Sequence, residues 1–106
     1  MDTWALIVVL SFVRLYAMRL PASERTILTL LVGRSPSYGL ELVAASKGRL
    51  TRGGIYVTLG RMEEKGLVTS AAAEGGRRLY RPTAFGHRAL LAARIFAGEI
   101  SLEAKP

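Results

Sequence analysis

The sequence contains no cysteine and only one histidine, and these two shortages exclude several kinds of site. Without cysteine, disulfides and thiolate metal centres cannot form. A zinc site would have to be completed by carboxylates around His87, and a serine–histidine mechanism would need an acid beside His87 that nothing in the sequence provides. We therefore expect no metal, no cofactor and no enzymatic activity.

Acidic residues are also scarce, with 8 Asp and Glu against 15 Lys and Arg, and the net charge is +7. The imbalance is concentrated between residues 47 and 88, which hold nine basic and three acidic side chains. A basic patch of this kind attracts polyanions and favours nucleic acid as a partner. A basic surface that only improves solubility fits the composition equally well.

No apolar run approaches the ~20 residues that cross a bilayer. The longest, Trp4 to Val13, lacks the basic start and cleavage site of a secretory signal, so we expect a cytoplasmic protein. Asp2 or Thr3 can cap a helix here that stops at Pro21. Because this helix would be apolar on nearly every side, we expect a partner subunit to cover it. A β-strand, a membrane-surface anchor and a natural translation start at Met18 remain alternatives.

Beyond Pro21, hydrophobic periodicity and capping residues predict three consecutive helices. The third ends before Gly66, which suits the left-handed position that follows a helix. The predicted helices are 23–33, 38–46 and 51–65, with Ser23, Ser37 and Thr51 as their N-caps.

After Gly66, two strands are predicted around a tight turn at Gly75 and Gly76. They span 67–74 and 77–83, and Thr83 then caps a last helix that runs past Gly98 to about Glu103. This order predicts a mainly α fold with a small β-hairpin, namely a winged helix-turn-helix. We assign residues 21–83 to that domain, and assign 1–20 and 84–106 to dimerisation.

The helix predicted at 51–65 contains three glycines, and each interior glycine costs about 1 kcal/mol relative to alanine. On a helical wheel, Ile55, Leu59 and Met62 form the buried stripe, whereas Gly53 and Gly60 lie on the opposite face with Val57. Small outward residues let a helix backbone approach base edges, and a valine can contact a thymine methyl. The alternative is that the glycines allow close packing against the preceding helix.

Several cations and polar groups surround this face. Arg52 and Arg61 can reach phosphates or a guanine edge, and Arg77 and Arg78 can grip the backbone from the hairpin tip. Ordinary exposed charges, and a Tyr56 that only shields the core, are the alternatives. The predicted DNA-binding residues are Lys47, Arg49, Thr51, Arg52, Gly53, Gly54, Tyr56, Val57, Arg61, Arg77 and Arg78.

Three blocks resemble the PadR family of winged-helix transcriptional regulators, which are usually repressors. They are "ILTLLVGRSPSYGLEL", "RGGIYVTLGRMEEKGLVTS" and "RRLYRPTAFGHRAL", and together they cover roughly residues 24 to 91 in the family's order and spacing. The resemblance implies a homodimer on a palindromic operator, with the third helix of each subunit in a major groove. It also implies DNA contacts at Tyr56, at 51–54 and at the wing residues Arg77 and Arg78.

The chain departs from the family pattern in its short wing and in a C-terminal helix shorter than is usual. We expect the N-terminal segment to supply the missing dimer contact by packing with Leu90 and its neighbours on the last helix. An effector of small aromatic type, as family members often sense, could bind among the interface aromatics. The predicted interface residues are Trp4, Leu6, Val9, Phe12, Tyr16, Leu91, Ile95 and Phe96.

Two functional alternatives remain at this point. A winged helix can serve as a protein-interaction module, since a fold does not determine a function. The N-terminal segment could also hold a regulator at a membrane surface.

Overall fold

The computed structural model describes residues 2–18 and 20–99, with side chains for 2–11 and 20–99. Over these residues, five α-helices and a small antiparallel sheet form a winged helix-turn-helix, as predicted. The helices are α1 (Thr3–Met18), α2 (Ala22–Arg34), α3 (Gly39–Ala45), α4 (Ile55–Glu64) and α5 (Ala84–Phe96). The strands are β1 (Ser37–Tyr38), β2 (Val68–Ala72) and β3 (Arg78–Pro82).

The N-terminal segment is a helix, not a strand. Asp2 caps it, because its Oδ1 accepts a hydrogen bond of 2.8 Å from the Ala5 N–H. Within the chain, α1 packs along α5. Its outer side remains in solvent, with Trp4 73% exposed.

Three of the predicted N-caps are wrong, because Pro21, Tyr38 and Gly54 take the positions predicted for Ser23, Ser37 and Thr51. Helix α2 begins one residue before Ser23, with Pro21 at its N-cap, because the Pro21 carbonyl accepts the Arg25 N–H at 3.0 Å. Ser37 lies in β1 instead of capping α3, and its Oγ donates to the Arg34 carbonyl. Tyr38 takes the N-cap position, where its N–H donates to Glu41 Oε1 at 2.7 Å.

Helix α4 begins four residues later than predicted. A turn precedes it, in which the carbonyl and the Oγ1 of Thr51 accept N–H groups from Ile55 and Gly54 at 3.0 and 3.1 Å. Gly53 and Gly54 therefore belong to the approach to the helix, and only Gly60 carries the cost of an interior glycine.

The end of α4 agrees with the prediction. Gly66 has φ +79°, and its N–H donates to the Glu63 carbonyl at 3.0 Å. The Leu67 N–H donates to the Met62 carbonyl at 2.9 Å, which completes a Schellman motif. This turn directs the chain out of α4 into β2.

The predicted hairpin is present, and a third strand joins it. Strands β2 and β3 pair antiparallel, with Val68 opposite Pro82, around a turn in which Gly75 and Gly76 have φ +68° and +74°. Strand β1 pairs with the other edge of β3, so the sheet order is β1-β3-β2. Local pattern did not predict β1, which is two residues long.

Helix α5 is capped as predicted, by Thr83 Oγ1, which accepts the Gly86 N–H at 3.0 Å. The helix does not continue past Gly98. It ends at Phe96 in a second Schellman motif, in which Gly98 has φ +80° and the Glu99 N–H donates to the Arg94 carbonyl at 2.9 Å. The last part of the predicted extension, 100–103, lies outside the described residues.

The core lies between α2, α4, α5 and the sheet. Ile55, Leu59 and Met62 are at most 1% exposed, as the helical wheel predicted. Other buried apolar members come from every layer of the fold: Ile27, Leu28, Leu31, Leu42, Leu50, Leu67, Val68, Tyr80, Ala89 and Leu90.

An ion pair between an exposed lysine and a buried carboxylate joins the end of α4 to the start of α2. The Glu24 side chain is 4% exposed, and Lys65 Nζ lies 3.0 and 2.9 Å from its two carboxylate oxygens. A buried carboxylate is stable only with such a partner, so this pair holds the two helix ends in one arrangement.

At Gly86, α5 lies directly against the backbone of Leu67. A Cβ built there would lie 2.1 Å from the Leu67 carbonyl oxygen.

We expect Gly86→Ala to lower the free energy of unfolding by about 2–3 kcal/mol or more, because the backbone must move to make room for the methyl group. Gly33 of α2 is the matched control, since a Cβ there meets nothing within 4 Å. Gly33→Ala should be neutral or stabilising by up to about 1 kcal/mol in the same urea titration. Equal effects of the two substitutions would contradict this packing.

Because Tyr80 is buried, we expect the free energy of unfolding to depend on pH in the alkaline range. Burial raises the pKa of Tyr80 above its ordinary value of 10.0, and the nearby Glu63 carboxylate raises it further. The native state thus holds the phenolic proton more tightly than the unfolded chain, so this contribution is complete below pH 10 and is lost as the pH rises through the native pKa. Between pH 8 and 11, wild type should lose more unfolding free energy than Tyr80→Phe, measured by urea titration. Parallel losses in the two proteins would be the contrary result.

Candidate nucleic-acid interface

The outer face of α4 combines exposed apolar side chains with glycines, which have no side chain. Val57 and Tyr56 are 58% and 53% exposed. A Cβ built at Gly53 or Gly60 would meet nothing within 4 Å, so neither glycine is required for packing against α3. Gly54 differs, because its Cβ would lie 3.0 Å from Thr51 Oγ1 in the turn before the helix. Gly53 and Gly60 therefore leave open space in front of the α4 backbone.

Tyr56 fixes the packing of α3 against α4 while part of its ring stays exposed. A Cβ built at the buried Gly39 would approach Tyr56 Cε1 to 2.8 Å, so the ring lies directly on the first turn of α3. Both interpretations of Tyr56 are compatible with this position. One side of the ring covers the start of α3. The rest of Tyr56 is exposed to solvent and accessible to a ligand.

The turn between α3 and α4 is held by Ser46. Its Oγ donates to the Val43 carbonyl at 2.8 Å and accepts the Leu50 N–H at 3.0 Å. Lys47 occupies the left-handed region with φ +55°, which is uncommon for a side chain other than glycine. The turn places Lys47 and Arg49 in exposed positions close to the start of α4.

The two wing arginines are held by contacts within the chain. The Arg77 guanidinium lies 4.2 Å from the centroid of the Tyr38 ring, a cation–π contact that joins the wing to β1. Arg78 Nε donates to Ser70 Oγ at 2.9 Å, and Ser70 Oγ donates to Glu63 Oε2 at 2.8 Å. The supporting roles of Tyr38, Ser70 and Glu63 were not predicted, because they depend on pairing between distant segments.

Arg52 and Arg61 differ from the wing arginines. Both are exposed at α4 or just before it, and among the described residues neither side chain makes a hydrogen bond, an ion pair or a ring contact. Arg61 therefore does not pair with Glu64, a nearby carboxylate on the same helix. Arg61 lies on α4 with the exposed Val57, and Arg52 lies in the turn just before the helix, whereas Lys47 and Arg49 lie in the turn that follows α3.

The predicted dimer residues fall into three groups. Trp4, Leu6 and Val9 of α1 are exposed, as are Leu91 and Phe96 of α5 at 48% and 54%; Ile95 is half-buried. The side chains of Phe12 and Tyr16 lie outside the described residues. Leu90, which we expected to pack with α1, is 4% exposed within the chain's own core.

Among the described helices, none has both the length and the apolar character needed to cross a membrane.

Comparison with known structures supports the fold. A PadR family transcriptional regulator from Eggerthella lenta is 28% identical, with a TM-score of 0.59 over 92% of this chain and 85% of that one. The repressor CouR, solved on a 23-mer DNA duplex, is 15% identical, with a TM-score of 0.66 over 89% and 68%. The regulator PcaV from Streptomyces coelicolor, solved with its natural ligand, is 18% identical, with a TM-score of 0.61 over 77% of this chain. This chain spans 64% of that PcaV chain.

No protein of curated function matches this sequence closely enough to count as a relative. A family model, however, matches residues 27–92, which is more than half of the chain and runs from within α2 to within α5. That model describes the transcriptional regulator PadR-like family. The chain therefore belongs to the PadR-like family of transcriptional regulators.

Proposed function

We propose that the chain is a sequence-specific DNA-binding repressor that acts in the cytoplasm as a homodimer. The observation that carries this proposal is the outer face of α4, where open space at Gly53 and Gly60 lies beside the exposed Val57. At Gly60, which lies within the helix, a surface that only met water would gain stability from a long helix-forming side chain. A surface that enters a major groove gains from the absence of such a side chain, because the helix can approach the base edges.

The charges around this face suit a duplex. Lys47, Arg49 and Arg52 lie before α4, Arg61 lies on it, and the wing carries two more cations. Phosphate contacts from these groups would position the protein and make its affinity depend on salt, whereas the α4 front would select the sequence. A protein-interaction module has no evident use for so many cations on one side, so we favour DNA over that alternative.

Support also comes from the family and the solved neighbours. The family is one of transcriptional regulators, and the similarly folded CouR was solved on DNA. We infer a palindromic operator, because two copies related by a twofold axis would present two equivalent α4 helices. Repression would follow if the bound dimer blocked access of polymerase to the promoter.

The first test uses Gly60→Ala on an operator selected from a random DNA pool. The added methyl meets nothing within the chain, so the protein should become more stable by about 0.5–1 kcal/mol. If α4 lies close to the bases, operator affinity in a gel-shift titration should nevertheless fall about tenfold, which is about 1.4 kcal/mol. Gly33→Ala, which adds the same methyl to α2, should leave affinity unchanged. Wild-type affinity for Gly60→Ala would contradict groove insertion.

Arg52→Ala gives an independent readout in the same assay. Loss of one phosphate contact should weaken binding to all sequences and reduce the slope of log affinity against log salt by about one. If the slope stays at the wild-type value, Arg52 does not contact phosphate.

The second test concerns the homodimer. We propose that the exposed apolar sides of α1 and α5 form the interface, so Leu91→Glu should convert a dimer to a monomer in light scattering. Leu40→Glu on α3 is the control, because Leu40 has similar exposure, 42% against 48%, but lies on a different element. A dimer that survives Leu91→Glu, or is equally lost with Leu40→Glu, would overturn this interface. An effector among the interface aromatics remains a prediction.

A further inference from the structure

A second basic region shares Lys47 and Arg49 with the turn before α4 and extends from there to α2 and α5. A groove of about 890 Å³ is bounded by α2, by the α3–α4 turn and by the end of α5. Its volume is in the range of pockets that hold small organic molecules. Its charged lining comprises four cations and one carboxylate: Arg25, Lys47, Arg49, Arg94 and Glu99.

Within this groove, the carboxylate of Glu99 already contacts Arg25 and Arg94. Glu99 Oε2 accepts a hydrogen bond of 2.5 Å from Arg25 Nη2 and lies 3.6 Å from Arg94 Nε. The Schellman motif that ends α5 delivers Glu99 to this position, since its N–H is bonded to the Arg94 carbonyl. The arginines of the groove therefore already bind one carboxylate, which belongs to the same chain.

This internal contact is open to competition. The side chains of Arg25, Arg94 and Glu99 are 32%, 48% and 47% exposed, and pairs with such exposure are weak. The threonine hydroxyls in the groove are already used, because Thr26 and Thr29 donate to backbone carbonyls within α2. Recognition of a ligand there would depend on the guanidinium groups, which match carboxylate and phosphate oxygens.

We propose that this groove binds a small organic anion, whose carboxylate or phosphate group displaces Glu99 from Arg25 and Arg94. The site differs from the predicted effector position among the interface aromatics. It also reaches Lys47 and Arg49, the turn cations assigned above to DNA phosphates. Occupancy by an anion therefore weakens DNA binding, and this second step rests on the proposed function whereas the binding step does not.

The binding step is tested without DNA, by calorimetric titration with citrate at constant ionic strength. Glu99→Gln removes the tethered competitor and one negative charge, so citrate affinity should rise at least fivefold. Arg25→Gln should reduce it at least tenfold. Arg88→Gln is the matched control, because it removes the same charge from an exposed position of α5 that does not line the groove. The site is overturned if Arg25→Gln and Arg88→Gln have equal effects, or if Glu99→Gln binds citrate no more tightly than wild type.

Titration with inorganic phosphate in the same four proteins distinguishes the two anion chemistries. A rank order of variants matching that for citrate supports a site that accepts both groups. Phosphate binding that ignores Arg25 while citrate binding requires it restricts the ligand to carboxylates.

The coupling step is tested on the selected operator. Citrate at constant ionic strength should lower the operator affinity of wild type at least threefold and leave that of Arg25→Gln unchanged. An equal loss in both proteins would overturn the coupling while leaving the site intact. Failure to select any operator would instead be a failure of the proposed function, and the calorimetric result would stand by itself.

Discussion

The meeting of α5 with the Leu67 carbonyl is the constraint on which the arrangement of the fold depends. That one oxygen accepts the Thr83 N–H at 3.0 Å and faces Gly86, where no side chain fits. Leu67 is also where the Schellman motif of α4 ends and β2 follows. The direction of α4, the start of the wing and the docking of α5 are therefore set at a single point, and a shift there would change all three.

The surface of α4 depends on a second close contact. The Tyr56 ring lies against Gly39, and this contact fixes α3 relative to α4. On the other side, the Ser70 hydroxyl joins Glu63 of α4 to Arg78 of the wing. The wing arginine Arg78 is thus held in place relative to α4. Such preorganisation reduces the ordering cost that binding to a duplex would otherwise carry.

Helix α5 connects the two ends of the molecule. Its start is anchored beside the wing by Thr83, it packs along α1, and the turn that ends it carries Glu99 to Arg25 of α2. In a PadR-like regulator, a helix with these contacts offers a physical route between the proposed dimer interface, the groove and the proposed DNA-binding surface. Coupling along such a route requires an element with two arrangements. The exposed Glu99–Arg25 ion pair could supply them, since a bound anion can replace Glu99.

The amino-acid sequence was sufficient to predict several local features of the structure. The stripe of Ile55, Leu59 and Met62, the Thr83 cap and the left-handed Gly66 were all predicted correctly, because helical periodicity and capping depend on residues within a few positions of one another. The caps assigned to Ser23 and Ser37 failed because Pro21 precedes one, and because β1, which holds the other, forms only by pairing with β3, about forty residues away. The same limit applies to Arg77 on Tyr38 and to Glu99 on Arg25. Contacts of this kind form only when folding brings distant segments together, so no short pattern encodes them, and the tertiary structure alone shows which charges are used within the chain and which face outward.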